Sequence, residues 1–431
     1  MPVRSLKVIV CNEIAGTLQQ DAHGAISFTY DEGYSGVPLS SSIPISNRSY
    51  DQKTVLPYLF GLLPDSEQQR RAIAIEYEVR PNNPIALLEH IGLDCPGGVQ
   101  FCREEELDVV RNRKGSYLPL SDQAIATRLA NIRQDSDSSW MGGDESWSLG
   151  GNQGKFALGL HDGTWCECQG SAPTTHIFKN GVIGFKLQAL NEYICMATAK
   201  RSQVATADVE YRIFENEPAL IVTRYDRARC SNGDIVRLHQ EDFCQALGVL
   251  PNQKYTSDGG PTTRDALTLL CSTNRAHFNL LVFTQILFFN CLIGAPDAHA
   301  KNYSLLLGPD NDRVIAPMYD VASGLAYESL CRKGRLAMAI GGENRFGRVG
   351  SGAIHRYMGG NDPALAAMLE KAGLTEAACT AIMADLALDI PVSMAEVFDQ
   401  AEADGIPGAA ELRERMLDPV CENCARTLTL L

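Results

Sequence analysis

A long apolar run from Phe278 to Gly294, FNLLVFTQILFFNCLIG, passes within three residues into a strongly polar stretch. That stretch places Asp297, His299, Lys301 and Asn302 within six residues. A segment this apolar predicts a buried helix. Four neighbouring polar side chains at the end of a core helix are unusual unless they have a function, because polar side chains are seldom buried. We therefore interpret the polar stretch as a catalytic loop delivered by a buried helix.

The chain has 431 residues, of which 45% are apolar and 21% charged, so we expect at least two domains with sizeable cores. Its formal net charge of −14 repels nucleic acid and excludes direct, chain-wide DNA or RNA binding unless a partner supplies positive charge. We find no signal-peptide pattern, and no apolar run reaches the ~18 residues of a membrane span. We expect a cytoplasmic protein with no membrane partner.

The order of the predicted elements separates strands from helices. Short strand-like runs and helical stretches fill residues 1–120, and more strands follow the polar segment from Arg133 to Gly154, which we expect to be a mobile loop. A helix is predicted near Asn191, and the chain looks largely helical from about Asp362. This order favours an α+β, two-lobed protein-kinase-like fold, with a small N-terminal α/β domain and a mostly helical C-terminal lobe, over a Rossmann fold.

Phosphoryl transfer needs a flexible cradle over the phosphates, a cation, a group that positions the nucleophile, and metal ligands. The cradle candidate is the Gly-rich stretch SLGGNQGK, which begins at Ser148. It is not a Walker A motif, and the alternative is an ordinary flexible loop. Its candidate ATP-binding residues are Gly151, Asn152, Gln153, Gly154 and Lys155.

The candidate cation is Lys179, at the end of the strand-like THIFK, with Glu192 in the next helix as a carboxylate that could hold it. The alternative for both is a solvated surface position. An apolar strand then runs into Thr223, Arg224 and Tyr225, whose main chain could meet an adenine edge as a hinge. The alternative there is any strand end.

The spacing in the polar loop matches a protein kinase. Asp297 and Asn302 lie five residues apart, as in the kinase loop HRDxxxxN, where the Asp takes the proton of the attacking hydroxyl and the Asn binds a metal. Asp320 ends another apolar run 18 residues after Asn302, which suits the second metal ligand. Lys301 could steady charge on the transferred phosphate, and His299 belongs to the nucleotide-binding set, with loop packing as the favoured role. The alternative for each carboxylate is a helix cap or a turn.

Several motifs resemble the HipA family of serine/threonine protein kinases, the toxins of bacterial type II toxin–antitoxin pairs. The resemblance covers about residues 1–400 and is carried by DAHAKNYSLL, KYTSDGGP, RYDR and HQEDFCQALG, with GVPLSSSIPI, FGLLPDSEQQR and CPGGVQF in the N-terminal part. We predict three domains: a HipA-type N-terminal α/β subdomain, an ATP-binding part with the Gly-rich loop, and a mostly helical lobe with the catalytic and metal-binding loops. Their predicted bounds are 1–130, 131–225 and 226–431.

The resemblance implies a role for each matching residue. Asp297 is the implied catalytic base, assisted by Lys301, and Asn302 and Asp320 are the implied Mg²⁺ ligands. The implied ATP contacts are the Gly-rich loop, Lys179, the hinge at 223–225, His299, Asn302 and Asp320. Ser148 matches the family's regulatory serine, whose autophosphorylation expels the loop; added negative charge beside ATP phosphates, and near Asp144 and Glu145, would favour the open loop.

The resemblance also implies partners and a substrate. The implied partner is a HipB-like helix-turn-helix antitoxin, with operator DNA reached mainly through it and autorepression of transcription as the result. The implied substrate is a serine of a translation protein, an aminoacyl-tRNA synthetase such as glutamyl-tRNA synthetase, whose modification stops growth. Which synthetase is not readable from the sequence.

Two alternatives stay open at this point. One is a catalytically weak, kinase-like corepressor that acts only with its antitoxin, and the other is a small-molecule kinase on the same scaffold. The Gly-rich loop also departs from the family pattern, because Gly154 replaces an acidic residue and Phe156 a hydroxyl. That departure puts the details of the phosphate loop in question.

Overall fold

The computed structural model describes residues 3–134, 145, 147–151 and 153–431. Both helices and strands are abundant, and the α+β class predicted from the sequence is confirmed. The strands are β1 (Arg4–Val10), β2 (Glu13–Gln20), β3 (Ile26–Tyr30), β4 (Ser49–Tyr50), β5 (Val99–Cys102), β6 (Gly115–Pro119), β7 (Phe156–His161), β8 (Thr164–Gly170), β9 (His176–Lys179), β10 (Val209–Phe214), β11 (Glu217–Thr223), β12 (Arg227–Arg229), β13 (Ile235–Arg237), β14 (His239–Asp242), β15 (Ser304–Leu307), β16 (Arg313–Ile315), β17 (Arg335–Ile340) and β18 (Glu343–Arg345).

The helices dominate the last part of the chain, as predicted. They are α1 (Gln52–Leu62), α2 (Glu67–Glu76), α3 (Pro84–Ile91), α4 (Leu107–Arg111), α5 (Asp122–Gln134), α6 (Gln188–Arg201), α7 (Phe243–Leu247), α8 (Thr263–Cys271), α9 (Ala276–Leu292), α10 (Glu328–Lys333), α11 (Ser351–Tyr357), α12 (Pro363–Lys371), α13 (Glu376–Ala403) and α14 (Ala409–Leu428).

The chain divides into two compact units that interleave along the sequence. Unit 1 comprises residues 1–183, 211–252 and 304–312, and unit 2 comprises residues 184–210, 253–303 and 313–431. This division cuts the chain at different places from the three consecutive domains proposed above, which stay a prediction.

Unit 1 begins with an antiparallel sheet in the order β4-β3-β2-β1-β5. The side chains of β3 alternate between buried and exposed positions, so one face of the sheet carries a core that includes Val8, Phe28 and Leu59. Helices α1 and α3 pack on this sheet. Helix α1 starts where the Asp51 side chain accepts the N–H of Thr54, because an aspartate in that position satisfies a free donor of the first turn.

A second sheet of unit 1 has the order β10-β11-β9-β7-β8-β6. Phe156 and Phe178 stack at the centre of its core, with ring centroids 5.2 Å apart. In the register of β9 with β11, Lys179 pairs with Leu220 and His176 with Thr223. The sheet therefore fixes the position of the predicted phosphate-binding lysine and of the strand that leads to the predicted hinge.

Unit 2 is built around α9, which contains most of the long apolar run of residues 278–294. Its side chains from Ile286 to Leu292 are all buried, so the helix is a core element and its end is firmly placed. Helix α13 packs along α9, α6 and α14. Within the described residues α13 alone is long and apolar enough to cross a membrane, but core helices pass the same test, and buried side chains such as Met383, Ile390 and Phe398 form its packing face.

Candidate active site

The end of α9 is anchored before the catalytic loop begins. The last carbonyls of a helix lack partners within the helix. Here the side-chain amide of Asn423 on α14 donates to the carbonyl oxygens of Cys291, at 3.0 Å, and Leu292, at 2.7 Å. Gly294 then turns the chain with a positive φ of 66°, and a Cβ on it would lie 2.5 Å from Leu325. The loop consequently starts from a fixed point in the core of unit 2.

The structure brings Asp297 and Asn302 together. The Asn302 amide nitrogen donates to the Asp297 carbonyl oxygen at 2.7 Å, and the His299 N–H donates to the same oxygen at 2.8 Å. Because the nitrogen of Asn302 points into the loop, its oxygen is the end that remains for a ligand. Hard cations such as Mg²⁺ take oxygen ligands of this kind.

The carboxylate of Asp297 is the exposed end of this arrangement, with a side chain that is 68% exposed. Its Oδ1 accepts a hydrogen bond from the hydroxyl of Tyr255. The His299 Nε2 lies 3.9 Å from the same Oδ1, which is too long for a hydrogen bond, and the His299 side chain is 5% exposed. This geometry favours the packing role for His299.

Asp320 adopts a backbone conformation that a residue with a Cβ seldom takes. Its φ is +60°, in the left-handed region, and such strain concentrates at functional sites. The hydroxyl of the preceding Tyr319 donates to the Lys301 carbonyl oxygen at 2.8 Å. The segment that carries Asp320 is therefore tied directly to the catalytic loop.

A second tie supports the same segment. The side chain of Asn191 on α6 makes two hydrogen bonds with the backbone of Ser323, at 2.8 and 2.9 Å. The N–H of Gly324 donates to the Gly294 carbonyl oxygen at 2.9 Å. Both turns that bear the predicted catalytic and metal-binding residues are thus braced by the core of unit 2.

Lys179, in unit 1, and Glu192, in unit 2, are both buried. Lys179 is 5% exposed and Glu192 is 1% exposed, so the interpretation of these residues as solvated surface is wrong. Burying an ionised side chain is costly, so the burial of both charges is consistent with a functional role. Lys155 lies beside Gly151, where a Cβ would come within 2.7 Å of its Nζ. Gly151 has a φ of +97°, a left-handed conformation that favours glycine.

Two of the three predicted hinge residues, Thr223 and Arg224, have different structural environments. Thr223 ends β11, and the Arg224 N–H donates to the Thr175 carbonyl oxygen at 2.9 Å. The Arg224 guanidinium is buried and donates to Asp226 at 2.8 Å and to Asp94 at 3.3 Å. Arg224 therefore has a structural task in unit 1, in addition to any hinge contact through its carbonyl.

Asp94 is the centre of this buried ionic network. Burial alone would raise the pKa of Asp94, but Arg227, Arg237 and Arg224 together hold it well below its usual range. Removing one partner of such a network leaves an uncompensated buried charge.

The described part of the polar segment is docked, which corrects the prediction of a mobile loop for residues 147–149. Ser148 is 1% exposed, its hydroxyl donates to the Leu62 carbonyl oxygen at 2.6 Å, and its N–H donates to the Asp94 carbonyl oxygen at 3.0 Å. Glu145 is buried and forms an ion pair with Arg128. The positive charge of Arg128 offsets the repulsion that we predicted between Glu145 and added negative charge on the loop. Asp144 and Asn152 lie outside the described residues.

The contacts that hold the loop were not predicted from the sequence. Three residues form hydrogen bonds with the catalytic loop or with the helix that precedes it, and no function was predicted for them: Tyr255, Tyr319 and Asn423. Tyr255 lies in the quoted motif KYTSDGGP, which was a signal for it. Asn423 had no comparable signal, because it sits in an ordinary helix far along the chain.

Comparisons with known proteins agree with the motifs. Residues 6–102 match the HipA N-terminal domain and residues 147–394 the HipA-like C-terminal domain. The chain is 36% identical over 349 residues to "Putative kinase Y4mE" of Sinorhizobium fredii, covering 79% of this chain and 82% of that one. It is 30% identical over 394 residues to the serine/threonine-protein kinase toxin HipA of Shewanella oneidensis, covering 87% and 84%.

A solved structure extends the likeness to the fold. It is the complex of Shewanella oneidensis MR-1 HipA with HipB and operator DNA, with a TM-score of 0.80, 24% identity, and coverage of 99% of this chain and 98% of that one. At this identity the likeness concerns the fold, and it confirms the predicted fold class. The two domain matches and the two relatives establish that the chain belongs to the HipA family of kinase toxins.

Proposed function

We propose that this protein is a serine/threonine protein kinase that transfers the γ-phosphoryl group of ATP to a serine of another protein. One observation carries the proposal. The Asn302 amide holds the Asp297 carbonyl, while Tyr319 ties the strained Asp320 segment to Lys301 of the same loop. These bonds hold the exposed carboxylate of Asp297 and the segment of Asp320 in one arrangement, as a site for a docking substrate and a metal ion requires.

The residues present fit ATP and Mg²⁺. The Asn302 amide oxygen and the Asp320 carboxylate would hold the cation, and Mg²⁺ commonly takes one or two protein ligands and completes its shell with phosphate oxygens and water. No cluster of three or more His, Cys, Asp or Glu side chains suited to a metal occurs within the described residues, and such a site needs none. The proposed phosphate ligands are Lys179, Lys155 and the backbone of residues 151–154. The proposed adenine hinge is 223–225, with His299 near the nucleotide.

ATP would supply the transferable phosphoryl group, and Mg²⁺ would neutralise charge on it. Asp297 would orient the substrate hydroxyl and accept its proton, a task suited to an exposed carboxylate that a docking protein can reach. Lys301, buried in the same loop, would stabilise negative charge as it develops. The bonds around the Asp297 carbonyl would keep these groups in place without rearrangement during the reaction.

We further propose that Ser148 is the autophosphorylation site and that its modification prevents redocking of the segment. The hydroxyl is buried and donates to the Leu62 carbonyl oxygen, so the segment must leave before Ser148 can be modified. A phosphoserine has no proton to donate there and brings nearly two negative charges against that carbonyl. The released state would therefore be favoured after modification.

The proposed partners follow from the relatives. The solved Shewanella oneidensis structure contains HipA with HipB and its operator DNA. We propose a HipB-like antitoxin for this chain as well, with DNA contacted mainly through it and autorepression as the outcome. The proposed substrate is a translation protein, an aminoacyl-tRNA synthetase such as glutamyl-tRNA synthetase, whose modification would arrest growth.

The test is transfer of labelled phosphate from MgATP to protein by the purified chain and by cell extract incubated with it. We expect Asp297→Asn to lower the transfer rate by about 10²–10⁴-fold, the usual contribution of a positioned base. The control is Asp310→Asn, at an exposed loop aspartate, which should keep the wild-type rate. Mass spectrometry of the labelled proteins would identify the acceptor and report on Ser148.

Two results would count against the proposal. Undiminished transfer by Asp297→Asn would remove that residue from the mechanism. A wild type that binds MgATP but transfers no phosphate to itself or to any extract protein would favour the corepressor alternative.

A further inference from the structure

We infer that Tyr255 is a positioning residue for phosphoryl transfer, and that the SDGGP turn exists to present it. The inference rests on the proposed kinase function, since it concerns how the carboxylate of Asp297 is held. Tyr255 lies 42 residues before Asp297 in the chain, and nothing in the spacing of the catalytic loop points to it.

The backbone and the side chain of Asp297 are anchored from different places. The carbonyl oxygen is held inside the loop by the Asn302 amide and by the His299 N–H. Neither bond involves the carboxylate, whose side chain is 68% exposed. The Tyr255 hydroxyl donates to Oδ1, and this bond restricts rotation of the carboxylate. A hydrogen bond to an ionised carboxylate is stronger than one between neutral groups.

Tyr255 is itself held against the catalytic loop. Its ring stands edge-on to the His299 ring, with centroids 4.8 Å apart and planes at 86°. The Ala300 N–H donates to the Lys254 carbonyl oxygen at 3.3 Å, which joins the backbone just before Tyr255 to the same loop. The buried His299 therefore serves as a platform for the phenol ring, which gives its packing role a purpose.

The turn after Tyr255 is too tight for any residue but glycine at its end. The Gly260 N–H donates to the Tyr255 carbonyl oxygen at 3.0 Å. A Cβ on Gly260 would lie 1.7 Å from the Gln253 carbonyl oxygen and 2.8 Å from that of Tyr255. The Thr256 hydroxyl closes the turn on the Pro261 carbonyl oxygen at 2.8 Å. Adding a methyl group at Gly260 must consequently displace the backbone that carries the phenol.

The arrangement assigns the two carboxylate oxygens different tasks. Oδ1 accepts the Tyr255 hydroxyl, and we assign Oδ2 to the substrate hydroxyl. On this assignment Tyr255 acts through Asp297 and not through the nucleotide. Its loss should lower the rate of transfer from bound MgATP and leave nucleotide affinity unchanged.

The experiment uses the full-length chain and two readouts, the rate of ADP formation at saturating MgATP and the affinity for MgADP by calorimetry. We expect Tyr255→Phe, which keeps the ring on His299, to lower the rate by about 10- to 100-fold, with MgADP affinity within about twofold of wild type. Adding Tyr255→Phe to Asp297→Asn should cause no further loss, because both act through one carboxylate. Gly260→Ala should reproduce the rate defect of Tyr255→Phe.

The matched control is Tyr357→Phe, which removes a unit 2 hydroxyl that hydrogen-bonds to the Thr284 hydroxyl and not to the catalytic loop. It should keep the wild-type rate. A wild-type rate in Tyr255→Phe, an additive loss in the double variant, or a parallel loss of MgADP affinity would each overturn the inference while the kinase function stands. A wild type that forms no ADP would overturn the proposed function, and the inference with it.

Discussion

His239 uses its two ring nitrogens in opposite ways. Nδ1 accepts the N–H of Gly98 at 3.3 Å, and Nε2 donates to the Leu39 carbonyl oxygen at 3.0 Å. Burial lowers the pKa of His239 to about 4, because a second proton would have to enter an apolar interior. That proton would also sit on Nδ1, where the Gly98 N–H needs an acceptor.

This histidine should make the protein sensitive to mild acid. The unfolded chain binds the proton near the ordinary pKa of about 6.5, and the folded chain binds it only near 4. Neutral His239 therefore makes its full contribution to the free energy of unfolding above about pH 6.5. As the pH falls toward 4 that free energy decreases, in total by on the order of 3 kcal/mol. Urea unfolding at several pH values should show a shallower fall for His239→Gln than for wild type.

The exposed Gln19 offers a control position without a titratable group, and Gln19→Asn should leave the pH dependence unchanged. Partly buried His176, whose pKa is also lowered to about 4 by desolvation, should account for part of the fall that remains in His239→Gln. Identical pH profiles for His239→Gln and wild type would show that His239 contributes nothing to the acid sensitivity.

Contacts between single residues could be predicted from the sequence where the two partners lie close together in the chain. Asp297 and Asn302 were paired because five residues separate them in one recognisable loop. The Arg224 guanidinium instead bonds to Asp94, 130 residues earlier, and Tyr255 bonds to Asp297 across 42 residues. One sequence contains no signal for such pairings, because they are created by the fold and not by any local period.

At the scale of elements, the support of α9 by α14 depends on one side chain. Asn423 is buried and its amide donates to the last carbonyls of α9, so Asn423→Leu should leave the Leu292 carbonyl with only the distant Cys424 thiol, while the Cys291 carbonyl keeps the Gly294 N–H. We expect a loss of about 1–2 kcal/mol in the free energy of unfolding, measured by chemical denaturation. The neighbouring Glu422 side chain is exposed, and Glu422→Gln should be neutral. Equal unfolding midpoints for Asn423→Leu and wild type would contradict this account.

The polar segment shows how average composition can mislead. Its Ser, Asp and Gly content predicts a solvated loop, yet Trp147 and Leu149 are buried in the core of unit 1 and bring Ser148 with them. Two apolar side chains at alternate positions bury one edge of a short extended segment. Their spacing was visible in the sequence, but the core cluster that they join and the carbonyl oxygens of Leu62 and Asp94 that bind Ser148 were not.

For the whole molecule, the net charge of −14 makes a prediction about DNA. The chain without an antitoxin should not retain duplex operator DNA at about 0.15 M salt, because the acidic protein and the phosphates repel each other. Fluorescence anisotropy of labelled DNA would measure this, and addition of a HipB-like antitoxin should produce binding. Tight, salt-sensitive binding by the chain alone would contradict the proposal that the antitoxin carries the DNA contacts.

The order of the elements was readable from the sequence, but the path of the chain through the units was not. Strands followed by helices predicted the α+β class, since each period is a local property. The return of residues 211–252 and 304–312 to unit 1 depends on pairings such as β14 with β15, where His239 meets Leu307. Pairing between strands so far apart in the chain depends on tertiary packing and leaves no local pattern in the sequence. A reading of local patterns therefore predicts consecutive domains.

That interleaved path constrains biosynthesis. Domains of a nascent chain usually fold in the order in which the ribosome releases them. Here the first unit stays incomplete until residue 312 has emerged, by which time residues 184–210 and 253–303 of the second unit have been made as well. A chain interrupted before residue 312 therefore contains neither unit complete, and we expect proteases to remove it before any partial activity can arise.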